Sequence, residues 1–202
     1  KTLNAATSIT LGPDNTYTFK EEDALMSVLG RVNYAYEDKY LASVSARTDG
    51  SSKFAKGNRW GWFPSVSLGW RISEEPFLKK VEWLNSLKLR ASWGLTGNND
   101  IANYSFMNKL SSANYSFGSN NGTVTAGLTN VTPVIANRDI TWEQSSEYNY
   151  GFDLSVLNNR INLSAEYYYS ETIQMLYEQT ALSITGFQNF WNNIGKVANQ
   201  GF

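Results

Sequence analysis

The chain has 202 residues, with 17 Lys+Arg against 18 Asp+Glu and a net charge of −1. That balance lacks the basic footprint of a nucleic-acid binder, so no nucleic-acid partner is expected. Cysteine and histidine are both absent, which excludes disulfide frameworks, thiol nucleophiles, zinc–thiolate centres, histidine-ligated metals and Ser-His-Asp triads. No metal or other cofactor is expected.

Aromatic residues make up 14% of the chain and charged residues only 17%, below the ~25% of an ordinary soluble domain. The reading is an interface-rich β protein rather than an enzyme. No run of 18 apolar residues exists, so a membrane role has to come from short alternating strands. The first fifteen residues are polar, without the charged-then-apolar pattern of a signal peptide.

Six segments alternate with period two, which predicts strands. Met26–Tyr36 sets Met26, Val28, Val32, Tyr34 and Tyr36 against Ser27, Arg31 and Asn33. Tyr40–Asp49 sets Tyr40, Ala42, Val44 and Ala46 against Ser43, Ser45, Arg47 and Asp49. Trp62–Ile72 is the clearest case, with Trp62, Pro64, Val66, Leu68, Trp70 and Ile72 on one face. Leu87–Gly97, Glu147–Leu157 and Ile161–Glu171 repeat the pattern, and a further strand begins towards Phe202.

The predicted links alternate as well. Glu37–Lys39 and Asn158–Asn159 are short, whereas Gly50–Gly61, Asn98–Ser146 and Thr172 to about Asn192 are long. Ser73–Ser86 stands apart. Ser73 before Glu74, Glu75 and Pro76 reads as a helix start, with Phe77, Val81 and Leu84 on one face. The expectation is a short helix at the rim on the short-link side. Asn98–Asp139, low in charge and rich in Asn, Ser, Gly and Thr, reads mostly as loop.

Keeping apolar faces aligned fixes two registers, since a one-residue slip flips every side chain. Tyr36 must pair with Tyr40, Tyr34 with Ala42 and Val32 with Val44. Leu154 must pair with Leu163 and Leu157 with Arg160, across a two-residue Asn158-Asn159 turn of type I′.

An apolar face of this kind packs on a second sheet, as in a soluble sandwich, or on lipid. Three features favour lipid: the asymmetry of the links, strands of ~10 residues that match a tilted bilayer span, and aromatics near strand ends. Tyr36 and Tyr40 fall at the short-turn end, and Trp62 and Trp70 at opposite ends of one strand. Their eight-residue separation at ~3.3 Å per residue and ~40° tilt gives about 20 Å, close to the ~25 Å apolar band of a transmembrane barrel. Arg31, Arg47, Arg71 and Arg90 share the polar face with Asp49, Glu147, Asp153 and Glu166. In a barrel that face lines the lumen.

The stretch YLASVSARTDGSSKFAKGNRWGWFPSVSLGWRISEEPFLK, followed by WLNSLKLRASWGLTGNND, closely resembles the barrel of SusC/RagA-type TonB-dependent outer-membrane transporters. LGRVNYAYEDKYL, ITWEQSSEYNYGFDLSVLNNRINLSAEYYYSET and TGFQNFWNNIGKVANQGF are similar to the same family in the same order. The resemblance covers about residues 24–202. It implies an importer for oligosaccharides or peptides in the Gram-negative outer membrane, powered through TonB, whose fold is a plugged antiparallel β-barrel of about 22 strands. At roughly 24 residues per strand such a barrel needs roughly 500 residues. Residues 1–202 are thus expected to be one partial barrel domain of six to seven strands, without the plug, the TonB-contacting segment or the signal peptide. The partners the resemblance implies are the remaining barrel and plug, a SusD-like surface lipoprotein, TonB, the oligosaccharide or peptide, and outer-membrane lipid.

Candidate residues follow from position. Arg47, Asp49, Arg90 and Glu147 are candidates for substrate or plug contact in the lumen. Tyr104, Phe106, Tyr115 and Phe117, interleaved with Asn and Ser in the long link, suit sugar rings or extended peptides; packing the loop onto the rim is the other reading. Tyr36, Tyr40, Trp62 and Trp70 are the membrane-interface aromatics. Two alternatives stand beside the importer: a small self-contained eight-stranded barrel, and a soluble carbohydrate-binding sandwich with Trp60, Trp62 and Trp191 stacking on sugars. Enzyme readings fail on geometry. Neighbours such as Glu74/Glu75 or Glu21/Glu22/Asp23 cannot both face one cleft from a strand, and Gly50–Lys53 lacks the phosphate-loop pattern.

Overall fold

The computed structural model describes residues 21–108, 110–117, 123–130 and 134–202, the two middle segments by backbone. Its main body is one seven-stranded antiparallel sheet in the order β1-β2-β3-β4-β8-β9-β12. The strands are β1 Leu25–Tyr36, β2 Tyr40–Ser51, β3 Trp60–Arg71, β4 Leu84–Asn98, β8 Glu143–Val156, β9 Ile161–Ile173 and β12 Lys196–Gly201. All six predicted strands are present, each extended by up to four residues at one end or trimmed by one. β12 forms without alternation: it pairs Lys196 with Ile173 and Gly201 with Tyr168, so the ladder on β9 supplies what its own side-chain pattern lacks.

Both registers hold. Tyr36 pairs with Tyr40, Tyr34 with Ala42 and Val32 with Val44, across a turn with Glu37 and Asp38 at φ 48° and 53°. Leu154 pairs with Leu163. That ladder stops at Val156–Ile161, one pair earlier than expected. Leu157, Asn158 and Asn159 all take left-handed φ (55°, 56°, 63°), and Arg160 N donates to Leu157 O at 3.3 Å. Asparagine tolerates this region and leucine resists it; Leu157 is held there by its own N–H donating to Trp83 O on the adjoining link at 2.9 Å.

The helix expected over Ser73–Ser86 is absent. A single 3-10 turn spans Ile72–Glu74 and ends at Glu75, which is extended (φ −73°, ψ 145°). Pro76 explains this, because its ring drives the preceding residue out of the helical region. Separate turns follow, with Leu78 N and Lys79 N donating to Glu75 O, and Phe77 projects outward rather than packing on a helix face.

The long links carry more structure than a loop reading allows. β5 Leu110–Phe117 and β6 Thr123–Asn130 form a separate hairpin, in a stretch whose Ser, Thr and Asn leave no apolar stripe to read. β10 Leu176–Thr180 and β11 Asn189–Asn193 form another, and β11 pairs in parallel with the two-residue β7 Val134–Ile135.

Every second residue of the main sheet forms one apolar face. In register across it run Tyr34, Ala42, Leu68, Ala91, Tyr150 and Tyr167. Among the described residues nothing covers this face: Val32 is 70% exposed, Leu68 57% and Tyr150 52%. A sandwich would bury these side chains against a second sheet. The buried cluster lies instead at the long-link end, where Phe63 of β3 meets Phe54, Ile101, Ile140 and Trp142 from the links. β3 makes room for it. Pro64 has no N–H for a ladder bond, and the β3–β4 ladder runs only from Ser65–Gly94 to Arg71–Lys88. Beyond it the Phe63 ring covers Gly97, where a Cβ would fall 2.0 Å from the ring.

Candidate functional site: a polar wall beneath a loop-built rim

The polar face is a set of rungs. Arg71, Lys88, Asp153 and Ser164 share the rung nearest the short links. Gly69, Arg90, Gly151 and Glu166 form the next. Two rungs further, Ser65, Gly94, Glu147 and Ser170 align with Ser45 and Arg31. Arg47 and Asp49 lie beyond, next to the long links.

The four lumen candidates are therefore spread along the wall. Arg47 Nε meets Asp49 Oδ1 at 2.7 Å, an i, i+2 pair on one face of β2. Asp49 is only 5% exposed. Arg90 sits lower and bridges two strands, to Asp153 Oδ2 at 3.0 Å and Glu166 Oε2 at 3.6 Å. Glu147, four residues along β8 from Gly151 and ~13 Å from it, is exposed and makes no ion pair among the described residues. These residues do not converge on one pocket. They form two neutralised spots and one open carboxylate along the wall.

The Arg90 spot depends on Gly151. A Cβ there would lie 3.2 Å from Arg90 Nη2 and 3.1 Å from Ala165 O, so a side chain at this position would crowd the guanidinium where it crosses β8 to reach β9. Asn149 also donates to Glu166, and Ser164 donates to Asp153 at 2.8 Å. In the full-length barrel, Arg90→Ala is expected to cost about 1 kcal/mol, the upper end for a pair this exposed to water. Gly151→Val should match or exceed it. Urea titration of the folded barrel measures both, and unchanged midpoints would show that the cluster holds nothing together.

The loop candidates divide. Tyr104, at φ 64°, donates its hydroxyl to Glu22 O at 3.1 Å and accepts from Glu22 N at 3.4 Å. Asn103 Nδ2 donates to Glu21 Oε2 at 3.3 Å. The Tyr104 hydroxyl thus ties its loop to the chain entering β1. Phe106 is half-buried in the turn that follows. Tyr115 and Phe117 fall on β5, and their side chains lie outside the described residues.

The rim around these loops is a built structure. Trp142 is 3% exposed, with ring centroids 5.3 Å from Phe54 and 5.4 Å from Phe63, and its Nε1 donates to Arg59 O at 2.9 Å. Asn193 Nδ2 donates to Thr141 O, and Thr141 N donates to Asn193 Oδ1, at 2.9 and 2.8 Å. These contacts join β3 to three segments that sequence periodicity treats as unrelated links.

The four aromatics expected at a membrane interface fall at the two ends of the sheet. Tyr36, Tyr40 and Trp70 stack across three strands at the short-link end, with centroids 6.4 and 6.3 Å apart. Trp62 lies at the other end of β3, opposite Thr48. Glu75 was missed as a member of this girdle. Tyr40 Oη and Trp70 Nε1 both donate to its Oε1, at 2.7 and 3.2 Å. Those bonds, that from Tyr40 first, hold the Glu75 carboxyl below its usual range. In the neighbouring turn the hydrogen bond from Lys39 lowers Glu37, and its counterpart raises Lys39. A carboxylate just before a proline gave no signal in the sequence that it would meet an aromatic row.

Comparison with known proteins agrees with the geometry. The family described as TonB dependent receptor-like, beta-barrel matches residues 2–202. TonB-dependent receptor P39 of Formosa agariphila is 40% identical over 94% of the chain, and TonB-dependent receptor SusC of Bacteroides thetaiotaomicron is 36% identical over 91%. The chain spans 17% and 18% of their lengths. Among solved structures, the RagAB peptide importer in the 'closed-closed' state superposes with a TM-score of 0.78 at 32% identity, over 89% of this chain and 19% of that one. The chain belongs to the TonB-dependent receptor β-barrel family.

Proposed function

We propose that this chain is a wall segment of an outer-membrane active importer for oligosaccharides or peptides, driven through TonB and without catalysis of its own. The uncovered apolar face carries this reading: six long antiparallel strands present lipid-compatible side chains on one side and polar and charged side chains on the other. The short links then face the periplasm and the rim faces outward. The remaining barrel and a plug complete the enclosure, and a SusD-like surface lipoprotein covers the rim. The likeness to TonB-dependent receptors, a peptide importer among them, supports the importer reading. Charges of both signs on the wall favour neither a glycan nor a peptide.

The rim supplies the cargo-facing chemistry. Tyr104 and Phe106 lie beside Asn103 and Ser105, flat rings next to amide and hydroxyl groups. Deleting 103–132 from the full-length receptor is expected to leave an assembled barrel in the outer membrane and to abolish uptake of its cargo or association of the lid. An assembled deletion variant with unchanged uptake, cargo binding and lid association would overturn the role given to the rim.

A further inference from the structure

The apolar face is not uniform. Between Tyr34 on β1 and Tyr150 on β8 the register places Ala42, Leu68 and Ala91, so three adjacent strands carry short or slender side chains between two tall rings. Four strand spacings of ~4.8 Å make this depression ~19 Å across, wide enough for two hydrocarbon chains side by side. It belongs to a longer groove that runs on past Tyr150 to Ala165, Tyr167 and Phe202 and measures about 1480 Å³ in all, above the ~300–1,000 Å³ of sites for small ligands.

At the short-link end the groove reaches Tyr40 and Trp70, the two side chains that donate to Glu75 Oε1. Glu75 Oε2 takes no partner among the described residues. One carboxylate therefore stands at the mouth of an apolar trough, at the level of the aromatic girdle, with an acceptor free. Buried in hydrocarbon such an anion would be costly; at headgroup level it complements a cation.

We propose that this groove binds a diacyl phospholipid with a primary-amine headgroup, drawn from the periplasmic leaflet, its ammonium on Glu75 Oε2 and its chains over Ala42, Leu68 and Ala91. The inference rests on the outer-membrane reading above. Charge complementarity selects the occupant: Lys39 acts on Glu75 only through space, its ammonium bonded to Glu37 at 2.7 Å, so a phosphatidylethanolamine brings an ammonium for Oε2, whereas a phosphatidylglycerol brings only negative charge and hydroxyls. Tyr40 and Trp70 act as positioning residues, since their two donated bonds fix Oε1 and turn Oε2 outward.

The test uses the full-length receptor, extracted in mild detergent and offered phosphatidylethanolamine or phosphatidylglycerol, with retained lipid counted by native mass spectrometry. Wild type is expected to retain the ethanolamine lipid about tenfold better, as a charge-assisted contact allows. Glu75→Gln should bring the two lipids to parity while total lipid stays the same. Ala91→Trp fills the trough and should lower retention of both by about tenfold, with heat-modifiable gel mobility confirming an intact barrel. Equal retention by wild type, or a preference that survives Glu75→Gln, overturns the site while leaving the membrane reading in place. A receptor that is soluble without detergent and carries no lipid overturns both.

Discussion

In dilute buffer without detergent, residues 1–202 alone are expected to show no cooperative unfolding transition by circular dichroism or calorimetry. The accessible surface of the chain is 14745 Å². A compact monomer of its 22.7 kDa exposes only ~9500 Å². The exposed apolar face, with Val32 70% and Leu68 57% exposed, contributes to that excess. β1 and β12 end the sheet without pairing to each other, and each leaves a row of N–H and C=O groups that water can satisfy and lipid cannot. An open seven-stranded wall therefore suits neither phase: water opposes its face and hydrocarbon opposes its edges. Refolding into detergent should yield aggregates or multimers unless the remaining strands of the barrel are supplied. A sharp, reversible, monomeric transition in plain buffer would show that the chain closes on itself and would restore the soluble-sandwich reading.

The strands were legible because a two-sided wall must alternate along its whole length. Trp62, Val66, Leu68 and Trp70 fix β3 whatever stands next to it, and the same constraint fixes the Tyr36–Tyr40 and Leu154–Leu163 registers. Where one side chain has to satisfy a distant segment, the pattern is silent. Trp142 lies in a link, and its partners Phe54 and Phe63 precede it by about eighty residues or more; no periodicity connects them. β12 was legible only as the start of a strand, because its pairing comes from β9 rather than from its own composition. The helix misread over Ser73–Ser86 has a local cause. The Ser-Glu-Glu start signal was weighed above the effect of Pro76 on Glu75, and the extended Glu75 backbone shows the proline prevailing. Of the site, the charges on the polar face were readable by alternation, but their pairing was not. Arg90 reaches Glu166 across Gly151, where a Cβ would crowd the guanidinium.

Trp142→Ala is expected to have the largest effect of any single substitution at the rim. Trp142 is almost wholly buried, touches both Phe54 and Phe63, and donates from Nε1 to Arg59 O in the link between β2 and β3. Truncation of a buried tryptophan costs ~3–5 kcal/mol, and here Arg59 O also loses one of two donors, keeping the bond from Ser51 N. The loss falls on the loops and not on the wall, because the ladders from β1 to β9 do not run through Trp142. In the full-length receptor the variant should still assemble in the membrane. Its Ser52–Arg59 and Asn99–Asn108 links should lose protection against hydrogen exchange by a hundredfold or more, the factor that ~3 kcal/mol corresponds to. Uptake should fall with them, since the chain that carries Tyr104 and Phe106 is anchored beside Ile101 in the same cluster. Trp142→Phe keeps most of the ring contacts and loses the hydrogen bond, so it should sit between the two, nearer wild type. If exchange in both links is unchanged by Trp142→Ala, the cluster is not what orders the rim, and the loops must be held by the hydrogen bonds of Asn103 and Tyr104 to the segment entering β1.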